Sequence, residues 1–136
     1  MNNARPPLSQ MQIDAVLKLA GPARYEHFIK QVTDWEEAWG LYCDGWALSG
    51  TADGRHVFPL WPAREYAAAC RTDVWASYEP TSIPLADLIH ELLPALERDG
   101  LLPGVFYTPS DKGVTPSAHQ LLEDLKAAAS EYGDDE

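Results

Sequence analysis

Four histidines, two cysteines and 21 acidic side chains are the groups in this 136-residue chain from which chemistry could be built. Their spacing builds little of it. A transition-metal site asks for ligands at short repeats, such as C-x-x-C or a histidine pair one helical turn apart. His27, His56, His90 and His119 are widely separated, and neither H-E-x-x-H nor C-x-x-C occurs. No metal and no cofactor is expected. Three carboxylate pairs stand out: Glu36-Glu37, Asp87 with Glu91, and Glu123-Asp124. Asp87 and Glu91 share a helix face, the pattern of a solvated surface. Paired-carboxylate hydrolysis needs a set separation across a cleft, which neighbours along the chain do not define. A nucleophile elbow is absent, and Cys43 and Cys70 lie in apolar stretches rather than in the electropositive setting that activates a thiol, so both read as buried free thiols. The glycines Gly50 and Gly54 fall in a turn between strands and are followed by no G-K-[ST], so they do not form a phosphate loop. No enzyme is expected.

The aromatic residues are the stronger signal. Trp35, Trp39, Trp46, Trp61 and Trp75 all lie within 41 positions, with Tyr42, Phe58 and Tyr66 among them. Tryptophan dominates both cores and binding surfaces. Trp39 and Trp46 go to the core by the strand pattern given below. Trp35, Trp61 and Trp75 each sit at an element end, and Glu36, Arg64 and Glu65 offer polar handles beside them. These six residues are the candidate binding site. The strip has three readings: a cover for the core or a homodimer interface, a patch that meets a partner protein, or a small-molecule pocket.

The elements that must position these residues follow from periodicity. Ser9 with Gln12 three residues on is a capping box, and Ile13, Val16, Leu17 and Ala20 then mark one helical face. Gly21 ends that helix and Pro22 opens a second, with Tyr25, Phe28, Ile29 and Val32 inward. The period changes to two at Trp39, Leu41 and Cys43. Asp44-Gly45 predicts a two-residue hairpin that pairs Cys43 with Trp46 and Leu41 with Leu48, placing all of these and Trp39 on the core side. A turn at Thr51 to Gly54 leads to a third strand, Arg55 to Leu60, completing an antiparallel meander. Further helices are expected from Pro62, from Pro84 and from Thr115-Pro116, with short strands near Tyr78 to Ile83 and Leu101 to Tyr107. Pro94 lies inside the second of these helices, and its ring clashes with the His90 carbonyl of a regular α-helix, so a kink or restart is expected there. The fold class is α+β: a three-stranded antiparallel meander with one or two more short strands, packed against about five helices. One domain spans residues 9–132, with a flexible arm over 1–8 and an acidic frayed tail over 133–136.

The net charge is -11. Residues 1–68 carry six basic and eight acidic side chains (net -2), and residues 69–136 carry four and thirteen (net -9). Basic residues never cluster, which argues against nucleic acid and anionic membranes as partners. Nothing approaches 18 consecutive apolar residues and the amino terminus shows no apolar signal region, so a cytoplasmic location is expected.

Several segments carry a resemblance. They are Arg24-Tyr25-Glu26-His27-Phe28-Ile29-Lys30, Asp34-Trp35-Glu36-Glu37, Asp44-Gly45-Trp46-Ala47-Leu48, Val57-Phe58-Pro59-Leu60-Trp61-Pro62 with Glu65-Tyr66-Ala67, and Ile83-Pro84-Leu85 through Leu96 to Leu101. Together they resemble the bacterial domain of unknown function 2750 over about residues 10–128. The resemblance implies a small bacterial protein and assigns no catalytic residue. The functional expectation is a non-enzymatic interaction protein binding a basic protein partner, an immunity-type inhibitor of a basic toxin being one version. The alternative is a small-molecule pocket at the tryptophan-rich strip.

Overall fold

Ser9 starts the first helix as its side chain dictates. Its hydroxyl accepts the Gln12 N–H at 3.1 Å, and the Gln12 side chain accepts the Ser9 N–H at 3.0 Å. The computed structural model describes residues 6–133. The elements are α1 (Gln10–Leu17), α2 (Gly21–Trp35), β1 (Glu37–Tyr42), β2 (Ser49–Gly50), β3 (His56–Leu60), α3 (Arg64–Ala69), a 3₁₀ turn (Asp73–Trp75) and β4 (Glu79–Pro84). They continue with α4 (Leu85–Asp87), a π-turn (Leu88–Leu92), α5 (Leu93–Asp99), β5 (Leu102–Val105) and α6 (Ala118–Gly133). The chain is α+β, with five helical segments among the described residues when α4 to α5 is counted as one run. Of the expected arm, Pro6 to Leu8 carry no regular structure, and the Leu8 N–H donates to Glu65 at 3.1 Å. Residues 1–5 of the arm and 134–136 of the tail lie outside the described residues.

The meander does not form. Two small sheets take its place: β1 pairs antiparallel with β4, while β3 pairs antiparallel with β2 and parallel with β5. The cause lies at the Asp44-Gly45 turn. Asp44 adopts the left-handed conformation expected of it (φ 56°), but Gly45 opens to φ 154°. The loop then closes on a single Tyr42–Trp46 bridge, one residue out of the expected register. After Ala47 N–H donates to the Leu41 carbonyl at 2.8 Å, the chain leaves β1. A one-residue slip turns side chains to the opposite face. Cys43 is accordingly exposed rather than buried, Leu48 is 46% exposed, and Trp39 and Trp46 are only partly buried. The freed edge of β1 pairs with β4, from Glu37 opposite Pro84 to Tyr42 opposite Glu79. Reciprocal backbone bonds between Trp39 and Trp61, both 2.8 Å, tie the two sheets together.

Phe28 and Val32 on α2, Leu60 at the end of β3 with Trp61 after it, and Leu121 and Leu125 on α6 are fully buried in one core. Each such aliphatic or phenyl side chain contributes about 1.5–3 kcal/mol of burial. Both α2 and α5 pack on α6. The expected break at Pro94 takes the form of the π-turn. The Leu93 N–H reaches back five residues to the Leu88 carbonyl, and α5 restarts with Pro94 in its first turn, where no N–H is needed.

One buried charge organises a distant loop. Arg24 is 3% exposed. Its guanidinium donates to the carbonyls of Phe106 (3.1 Å), Leu19 (2.7 Å) and Lys112 (3.3 Å) and to the Asp111 carboxylate (2.8 Å). Phe106 itself is left-handed (φ 70°), a strained conformation for a bulky residue, and its N–H is held by the Leu60 carbonyl at 2.9 Å.

Candidate functional site

The six sequence candidates disperse. Trp61 is fully buried, and its indole N–H donates to the Tyr107 carbonyl at 2.9 Å. Trp75 meets it edge-on, with centroids 6.1 Å apart, and stays half-buried. Trp35 ends α2 at 39% exposure. Glu36 is the left-handed cap of that helix (φ 59°), and its carbonyl accepts the Leu85 N–H at 2.8 Å. Arg64 is exposed at the start of α3, and Glu65 holds the Leu8 backbone. Only Trp61 and Trp75 are brought together, and Trp75 alone of the six lines one of the clefts described below.

The Trp75 cleft encloses about 400 Å³. Its apolar wall is Trp75, Val74 and Tyr107, with the Cys70 thiol at the floor, and its rim carries Thr72, Asp73, Thr108 and Ser110. The 3₁₀ turn presents Asp73 left-handed (φ 52°) and Val74 nearly fully exposed. The opposite rim is the Thr108–Lys112 loop, closed by reciprocal Thr108–Asp111 backbone bonds and anchored from beneath by Arg24. Burial pushes the Cys70 thiol up to about 11, so it stays protonated and is a poor nucleophile.

A second cleft, of about 420 Å³, joins residues far apart in sequence. Trp46, Ile83, Leu92 and Ala95 give it an apolar floor, and Asp87 and Glu91 stand on its rim. Gly40 of β1 makes room for the aromatic wall: a Cβ there would lie 2.9 Å from the Trp46 ring. Tyr42 packs edge-on against the same ring at 5.1 Å and is 44% exposed, which extends the apolar surface. Neither Asp87 nor Glu91 makes an ion pair or side-chain hydrogen bond among the described residues. Sequence reasoning assigned Trp46 to the core and the carboxylates to open solvent. The missing signal was the pairing of β1 with β4, which carries Ile83 and the π-turn helix up to Trp46.

Among the described residues no group of three or more His, Cys, Asp or Glu side chains is placed to hold a metal ion, and no helix is long and apolar enough to cross a membrane. The model of a protein family of unknown function, DUF2750, matches residues 25–125. The chain belongs to this family. The match contains both clefts' walls, from Trp46 and Trp75 to Asp87, Glu91 and Lys112, while α1 precedes it. No curated protein and no solved structure matches the chain.

Proposed function

We propose that this protein is a non-enzymatic interaction protein of the bacterial cytoplasm that docks a basic segment of a partner protein in the Trp46 cleft. The observation that carries the reading is that one cleft contains both an accessible tryptophan and two carboxylates with no cation of their own. A lysine or arginine over Trp46 gains about 0.5–1 kcal/mol from the ring at an exposed site. Each exposed ion pair adds roughly 0.2–1 kcal/mol. Charge alone therefore gives weak binding, and the partner must also seat an apolar side chain against Ile83 and Leu92. An amphipathic, cationic segment meets both needs. The overall charge of -11 speeds its approach and repels a second copy of the same chain. An immunity-type inhibitor of a basic toxin is the concrete version.

The test is quantitative recovery of partners from the native cell at low salt, using the natural chain, an Asp87→Asn/Glu91→Gln double variant and a Glu123→Gln control. The reading expects one basic protein, lost with the double variant and at high salt and kept with the control. Recovery of no partner, or of one indifferent to the double variant, overturns it.

Trp75 favours a second reading, a small-molecule site at the tryptophan-rich strip. Of Trp35, Trp61 and Trp75, it is the one that lines a cleft of ligand size, about 400 Å³.

A further inference from the structure

The Trp75 cleft carries a more specific chemistry than its volume, on the second reading just given. One wall is the half-buried Trp75 indole, whose N–H has no acceptor among the described residues. Around it stand the side chains of Ser49, Thr72, Asp73 and Ser110, none of which makes a hydrogen bond within the described chain. Three of the four are neutral hydroxyls that both donate and accept. The charged groups of the lining are Asp73, Asp111 and Lys112. Asp111 is bound by Arg24, Lys112 donates to the Gly50 carbonyl at 3.0 Å, and Asp73 adds a free negative charge. A phosphate or carboxylate ligand would be repelled by Asp73, and the cation in the lining, Lys112, is turned toward the Gly50 carbonyl. An apolar ligand would strip water from the hydroxyls and return no hydrogen bond.

We infer that the Trp75 cleft binds a neutral polyhydroxylated ring, a saccharide, with one ring face on the Trp75 indole and its hydroxyls on Thr72, Asp73 and Ser110. Sugar C–H groups cover the indole face, and the hydroxyls exchange hydrogen bonds with a rim that has both donors and acceptors to offer. The cleft is open and the hydrogen bonds few, so affinity for a single ring is about millimolar.

Amide and indole ¹H–¹⁵N spectra, recorded during titration with glucose, galactose, mannose and N-acetylglucosamine, test the inference. The Trp75 indole signal is assigned from a Trp75→Phe variant. The expected result is saturable shifts at the Trp75 indole and at the backbone of residues 72–75 and 108–112 for at least one sugar. Ser110→Ala and Asp73→Asn, both on the exposed rim, weaken that binding by about threefold to tenfold each. No shift with any of the four up to about 100 mM, an affinity below which recognition is not meaningful, overturns the inference. So does binding that both rim variants leave unchanged. Indole and inorganic phosphate are titrated as comparisons. A shift of the same signals by either one, without the sugars, keeps the cleft as a ligand site and overturns the saccharide class. Silence from all six probes removes the second reading as well.

Discussion

Replacing Arg24 by methionine keeps a long apolar stem and removes the fork of donors. Two contributions could dominate the loss, and the structure separates them. The Asp111 carboxylate is 59% exposed and regains water when the guanidinium goes, so the ion pair accounts for under about 1 kcal/mol. The Phe106 carbonyl is buried, and the Leu19 carbonyl partly so. Each orphaned acceptor costs about 1–3 kcal/mol. The cost of burying the guanidinium is recovered in the variant, which leaves a net loss near ~3 kcal/mol. In a domain of this size that lowers Tm by about 10 °C. Urea and thermal unfolding of the natural chain, Arg24→Met and Asp111→Asn check this, with Asp111→Asn expected within about 1 kcal/mol of the natural chain. Equal costs for the two variants would make the ion pair the anchor and refute the carbonyl argument. An Arg24→Met chain as stable as the natural one would refute both.

Other outcomes follow from burial and packing. Gly40→Val drives a side chain into the Trp46 ring and costs about 1–3 kcal/mol in thermal unfolding; unchanged stability would mean the ring does not rest on β1. Near neutral pH, iodoacetamide labels exposed Cys43 and spares Cys70 until the chain unfolds, as peptide mass mapping reads out; native labelling of Cys70 contradicts its burial. Burial, then the hydrogen bond to Asp124, raises the Tyr25 phenol above its ordinary value of 10.0, so its contribution is full below that value and is lost as pH rises toward the folded-state one. Cys70, raised from 9.0 to about 11, acts in the same direction over the lower part of that window. Tyr25→Phe therefore shows a shallower fall of Tm above about pH 10 than the natural chain, and parallel slopes would contradict the assignment.

Local rules were legible where they act within a few residues. The Ser9 capping box and the interruption before Pro94 stand where the sequence places them. The Asp44-Gly45 turn shows where such rules stop. Asp44 took the conformation its type favours, yet the strand that follows was free to leave, because β4 offered β1 a longer partner than the segment after the turn. Pairing of that kind is decided by burial across the whole chain. The Trp46 cleft depends on it entirely, so its carboxylates looked like ordinary surface charges. Trp75 was legible as a residue at an element end; its company was not, since Thr108 and Ser110 arrive through a loop that Arg24 holds down.

The π-turn has a bearing on how this chain can change length. Leu88 and Leu93 are both buried although they are five positions apart. In a regular helix that spacing would set them about 140° apart, and one would face water. The wider turn absorbs one surplus residue and brings both leucines to the same stripe. Deleting a residue between Ile89 and Leu92, together with Pro94→Ala, would leave an uninterrupted helix with its apolar stripe still continuous. The same deletion in β1 would turn every following side chain over. A one-residue deletion is therefore accommodated beside the Trp46 cleft, where it would turn the rim carboxylates relative to one another while sparing the core.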